Sequence, residues 1–149
     1  MPYAIDLTTE IDVPPSRVWR ALCDPAEVIL WDTTVDAALD APADYPKLGQ
    51  HVRWRCKGTN TLLHDHPQNV QPERRLHSLL AFGRQHLDET YTLTATPSGT
   101  RLDLHIDLTL TTPAIAPLLL RFIDGPAVQR AFEASLTNLK YYCELGGKV

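Results

Sequence analysis

Glu89 and Tyr91 are the residues of this chain best suited to chemistry. They stand two apart in an alternating stretch, His86 to Thr96, and so share one face of a strand. If that face lines an apolar space, the Glu89 carboxyl would titrate high and could act as an acid or base. The Tyr91 hydroxyl could then polarise a carbonyl. Ser78, on the preceding stretch Arg75 to Phe82, could hydrogen-bond a ligand hydroxyl. The plainer reading puts Glu89 at a rim beside an arginine and packs Tyr91 with its hydroxyl satisfied.

His64-Asp65-His66 is the other eye-catching motif. Strand alternation aims His64 and His66 to the same side, the geometry that two metal ligands need. A third ligand would have to be His77 or Glu89, and Pro67 next door indicates an exposed strand end. The reading adopted is a pair of solvent-facing histidines, with no metal. Asp103, His105 and Asp107 alternate with leucines and belong on a watery face, as do Arg53 and Arg55. Cys23, Cys56 and Cys143 lack CxxC spacing and read as buried free thiols in a reducing cytoplasm. There is no Ser-His-Asp spacing, phosphate loop or dinucleotide fingerprint, and no cofactor is expected.

The elements that must position these groups follow from periodicity. Tyr3 to Val13 alternates as a half-buried strand; Pro14-Pro15-Ser16 opens a short helix that Asp24-Pro25 ends, and a second helix covers Ala26 to Trp31. Strands are then expected over Thr33–Ala41, Gly49–Lys57, Thr61 to about Val70, Arg75–Phe82 and His86–Thr96. The last, Arg101–Thr112, places Leu102, Leu104, Ile106, Leu108 and Leu110 on one face. A long amphipathic helix closes the chain, its stripe Val128, Phe132, Leu136, Leu139 and Cys143. Pro113, Pro117 and Gly125-Pro126 should delay its start or bend it near residue 125. A run of antiparallel strands with helices on one face is the α+β class, and a long helix laid on a curved sheet leaves room for a cavity.

The 149 residues suit a single domain over 1–149 with a substantial core. Apolar residues make up 44% and charged residues 21%, as in ordinary globular proteins. A net charge of −4 argues against nucleic acid as partner. No apolar stretch is long enough for a membrane span, and the first residues do not read as a signal peptide, so a cytoplasmic protein is expected. A homodimer is left open.

The whole pattern resembles a known superfamily. Ile11-Asp-Val-Pro-Pro-Ser-Arg-Val-Trp19 with Leu22-Cys-Asp-Pro25 is similar to its helix entry, and Trp31 to the end of its second helix. Leu48-Gly49 before Val52-Arg-Trp-Arg55, the proline turn Pro72-Glu-Arg-Arg-Leu76 and the hairpin Ser98-Gly-Thr-Arg101 also match. So do Leu136-Thr-Asn-Leu-Lys140 and Glu144 in the last helical turns. These pieces span nearly the whole chain and resemble the START and birch-pollen-allergen superfamily, in particular its bacterial polyketide cyclase/dehydrase-like group.

The resemblance implies a helix-grip fold: a curved antiparallel sheet of about seven strands wrapped on a long C-terminal helix, with two short helices between the first two strands. It also implies a cavity between sheet and helix that takes a small hydrophobic, aromatic or polyketide-like molecule. Alternation would then turn Trp54, Leu76, Ser78, Leu80, Glu89, Tyr91 and Leu93 toward the cavity, with Leu104, Ile106 and Leu108 beside them. Trp31 would close one end, and the helix would contribute Phe122, Val128, Phe132 and Leu136. Ser78, Glu89, Tyr91 or the His64/His66 pair would orient the ligand, and Gly125-Pro126 would be the hinge at its entrance. A cyclase or dehydratase using Glu89 and Tyr91 is the alternative to a binding protein, and a chaperone-activator-like interaction protein is a distant third.

Overall fold

A computed structural model describes residues 2–112 and 114–146. The chain begins with β1 (Tyr3–Ile11), followed by α1 (Pro15–Cys23) and α2 (Pro25–Trp31). Six strands come next: β2 (Val35–Ala38), β3 (Val52–Cys56), β4 (Leu62–Gln71), β5 (Arg75–Phe82), β6 (Gln85–Ala95) and β7 (Thr100–Leu110). The last part is helical throughout: α3 (Ala116–Leu119), a π-helical turn (Leu120–Asp124) and α4 (Gly125–Glu144). The seven strands form one antiparallel sheet in the order β1-β7-β6-β5-β4-β3-β2. This is the expected α+β helix-grip fold.

Local chemistry accounts for the boundaries. Pro15 and Pro25 each occupy the first turn of their helix, where a missing N–H costs no bond. Asp24 serves two helices: its N–H closes α1 on the Arg20 carbonyl, and its side chain accepts from Ala26 N at 2.9 Å to cap α2. The segment expected as Thr33–Ala41 pairs only over Val35–Ala38. Pro67 lies inside β4, two residues beyond the last β3 pairing, Val52 with Asp65, and a bulge follows between Pro67 and Asn69. The proline is therefore tolerated where that side of β4 has no ladder bond to lose.

The core sits where helix covers sheet. β1 and β7 pair in continuous register from Tyr3 with Leu108 to Ile11 with Thr100, and α4 packs on β1, α1 and α2. Of the expected stripe, Val128, Leu136, Leu139 and Cys143 are buried and Phe132 is half-buried. The helix is tied at both ends. Asp124, before its first turn, accepts from Arg84 at 2.8 Å and Gln85 at 2.7 Å, both in the β5–β6 hairpin region. In its last turns, Lys140 donates to the Glu10 carbonyl at 2.5 Å, and Glu144 accepts from Asp12 N at 2.9 Å. Between these ties, Ser135 accepts from Thr33 N at 3.0 Å and Asn138 donates to the Trp31 carbonyl at 3.2 Å.

Gly125-Pro126 forms no break or hinge: the helical path continues through Gly125 with φ −58° and ψ −56°, packed against Tyr3, and the irregularity is a π turn just before it. Pro117 stands in the first turn of α3, so the helical segment begins at Ala116; Pro113 lies outside the described residues. Pro126 has no N–H, and the Gly125 N–H reaches back five residues to the Leu120 carbonyl. A Cβ on Gly125 would fall 2.2 Å from that carbonyl oxygen and 2.6 Å from the Tyr3 ring. Gly125→Ala is therefore expected to destabilise the fold by about 1–3 kcal/mol through overpacking, measured as a lower midpoint in urea unfolding.

Candidate functional site

A cavity of about 400 Å3 lies between the concave face of the sheet and the first turns of α4. Its floor comes from β3 to β6. Trp54 and Cys56 project from β3, Leu63 and Asp65 from β4, Leu76, Ser78, Leu80 and Phe82 from β5, and Gln85, Leu87, Glu89 and Tyr91 from β6. Strict alternation along each strand brings these side chains to one surface. α4 supplies Ala127, Val128, Ala131 and Phe132, and the α2–β2 corner supplies Trp31 to Val35. Two short side chains one helical turn apart, Ala127 and Ala131, leave the space open.

Most of the expected lining is placed here. Trp31, Trp54, Leu76, Ser78, Leu80, Glu89, Tyr91, Val128 and Phe132 all border the cavity. Leu93, Leu104, Ile106, Leu108 and Leu136 are buried in the core and do not border it. On the β1–β7 side the helices lie directly on the sheet and leave no gap. Phe122 belongs to the π turn and is 65% exposed. His64 and His66 point to the opposite face of the sheet, where His51 stacks on His66 with ring centroids 4.3 Å apart. His51 Nε2 also meets His64 Nδ1 there at 2.8 Å. That pair cannot orient a ligand in the cavity. No cluster of three or more His, Cys, Asp or Glu suited to a metal occurs among the described residues.

Asp65 is the polar residue that the sequence reading passed over. Its neighbours His64 and His66 face outward, so the same alternation turns it inward. Tyr45, from the loop between β2 and β3, donates to Asp65 Oδ2 at 2.5 Å, and Trp54 Nε1 donates to the same atom at 3.1 Å. Asp65 Oδ1 is buried with no partner among the described residues. Tyr45, Asp32 and Lys57 also border the cavity; Tyr45 and Asp32 lay outside the periodic stretches, and Lys57, read as the end of the Gly49–Lys57 strand, lies just past β3. Asp32 accepts from both N and Oγ1 of Thr34, which fixes this corner of the rim.

Glu89 is only 8% exposed and borders the cavity, with no arginine beside it. No hydrogen bond to the side chain of Glu89, Tyr91 or Ser78 is formed among the described residues. Glu89 and Ser78 are directly paired across β5 and β6, and Tyr91 stands opposite Leu76. Burial drives the Glu89 carboxyl well above its ordinary value, and the charges of Asp65 and Asp32 push the same way. Burial likewise raises Tyr91, with Glu89 adding to it. Asp65 is raised by burial against the opposing pull of its bonds from Tyr45 and Trp54. The arrangement is an apolar, aromatic chamber holding a buried carboxyl of raised proton affinity and two hydroxyls free to bond a guest.

The outer faces hold ordinary surface pairs. His105 meets Asp6 at 2.6 Å and Asp107 at 3.2 Å, while Arg53 and Arg55 pair with Asp40 and Asp36. Cys23 and Cys143 are buried, their thiols pushed up to about 12 and about 11 by desolvation, which makes them poor nucleophiles.

The Glu89 shift sets a sign for stability. A carboxyl that holds its proton more tightly folded than unfolded favours the fold fully below its unfolded value. That share is lost as pH rises through the raised folded value. Wild-type stability should therefore decline as pH climbs from the ordinary glutamate value of 4.5. In Glu89→Gln the decline should be shallower and neutral-pH stability higher, both read from urea unfolding across pH.

The comparisons agree with this architecture. A protein from Chromobacterium violaceum superposes with a TM-score of 0.76 at 19% identity, over 96% of this chain and 99% of that one. A solution structure from Arthrobacter aurescens gives 0.78 at 11% identity, over 97% and 87%. CalU16 of Micromonospora echinospora gives 0.67 at 18%, over 98% and 76%. At such identities the likeness is one of fold. No curated protein matches the sequence. The family model described as polyketide cyclase / dehydrase and lipid transport matches residues 3–144, and the chain belongs to that family.

Proposed function

We propose that the protein binds a small hydrophobic, aromatic-type molecule in the cavity between β3–β6 and α4. The observation that supports this most is the cavity itself: about 400 Å3 left unfilled in a core whose other large side chains pack closely. Protein interiors rarely leave such voids, because each unfilled volume forfeits dispersion contacts. Burial of the guest's apolar surface supplies most of the affinity at about 25 cal/mol per Å2, and Ser78, Glu89 and Tyr91 give it direction. The family is named for both lipid transport and cyclisation, which accords with a guest of this kind.

Native mass spectrometry of freshly isolated protein should show a bound lipophile. Added N-phenyl-1-naphthylamine should brighten on entering the cavity. Ala131→Trp, which fills the space from the helix side, should weaken dye binding at least tenfold while leaving the far-ultraviolet circular dichroism intact. Equal binding by wild type and Ala131→Trp would remove the cavity from consideration.

A second reading rests on Glu89. A buried carboxyl of raised proton affinity facing an apolar chamber is suited to proton transfer, and Tyr91 on the same strand could stabilise an enolate. A cyclisation or dehydration of a carbonyl-rich chain would use both. With such a substrate, Glu89→Gln and Tyr91→Phe should each reduce turnover about 100-fold or more. Unchanged turnover in both variants would dismiss the catalytic role.

A further inference from the structure

Resting on the binding reading above, we propose that the cavity's guest is a hydrophobic amine, held as its ammonium form against Glu89. Three observations converge on a cation. The first is charge: the cavity is bordered by three carboxyl groups, Asp32, Asp65 and Glu89, and by one ammonium, Lys57. Asp32 and Lys57 attract one another at the rim, and no other lysine or arginine borders the cavity to face Asp65 and Glu89. The second is the unmet bonding of Glu89. Glu89 as a residue is more than nine-tenths buried, borders the cavity, and its carboxyl takes no hydrogen bond from the described residues. Buried carboxyls in folded proteins are ordinarily paired, so a partner from outside the chain is the missing element. Asp65 adds its field from the neighbouring wall, with Oδ1 still unpartnered.

The third observation is the ring content. Trp31, Tyr45, Trp54, Phe82, Tyr91 and Phe132 all border the cavity, more than half of the aromatic side chains in the chain. Ring faces carry negative potential and attract a desolvated cation, most strongly when the ring is indole or phenol. A hydrophobic anion would meet the opposite field throughout the interior. A neutral hydrophobe would gain the apolar contacts but leave both carboxyls as they are. An ammonium on an apolar body gains the contacts, bonds Glu89 and faces the rings. The volume suits a body of one or two fused rings with a short side chain.

Isothermal titration of the wild-type protein with three isosteres, 2-naphthylmethylamine, 2-naphthylmethanol and 2-naphthoate, decides the matter at neutral pH. The amine should bind at least tenfold more tightly than the alcohol, and the carboxylate most weakly. In Glu89→Gln and Asp65→Asn the ratio of amine to alcohol affinity should fall toward one, and either variant suffices if the other does not fold. If the alcohol binds as tightly as the amine, or the carboxylate binds best, the amine assignment is overturned while the hydrophobic-ligand reading stands. The same holds if the preference survives in a folded variant. If none of the three binds at millimolar concentration, both readings fall.

Discussion

Everything in this protein depends on where α4 is fastened. A 20-residue helix is about 30 Å long, and a helix covers only a few strands of a seven-stranded sheet. Asp124 ties its start to Arg84 and Gln85, and Glu144 with Lys140 ties its end to the Glu10–Asp12 corner after β1. The line between these anchors runs from the β5–β6 hairpin across to β1, on which α4 packs. The concave face of β3 to β6 meets α4 only through its first turns, Ala127 to Phe132, and curvature turns the space between them into a chamber. The apolar strand residues under the helix become core, and those beside it become wall.

The same division explains what could be read from the sequence. Period-two alternation located all seven strands, and which residues share a face followed from it. Trp54, Ser78, Glu89 and Tyr91 were legible as one surface for that reason. Alternation says nothing about which stretch of a concave face the helix will cover, so Leu104, Ile106 and Leu108 could not be told apart from Leu76 and Leu80. Asp65 was within reach, since outward histidines on both sides force it inward; attention to the histidines as ligands hid it. Tyr45 was not within reach, because nothing periodic governs a loop; Lys57, read as the last residue of a strand, falls instead in the turn after Cys56. Ala127 and Ala131 drew no notice because a stripe search looks for large side chains, whereas their contribution is to be small.

The chamber trades stability for its contents. Filling the space with larger side chains and replacing Glu89 by an apolar residue would both favour the empty fold, since a void and an unbonded carboxyl each cost free energy. Tyr45 and Trp54 show the opposite tendency nearby, directing two donors onto one oxygen of Asp65 and leaving the other bare. One carboxyl is thus held rigidly by the protein, and the other is held only by its strand. A fixed acid beside an uncommitted one is an asymmetric environment, able to orient a guest as well as enclose it.

The π turn before α4 has a consequence for how the family could vary. An α-helix advances about 100° per residue, so one residue more or less in Leu120–Asp124 rotates everything preceding it by about that angle. With the present length, Phe122 faces solvent. Loss of a single residue before Asp124 would swing the α3 side chains around the axis while the strand pairing of the sheet stays as it is. The segment works as a dial set by chain length. Insertions and deletions, rather than substitutions, are the changes that would re-aim the end of the helix nearest the chamber.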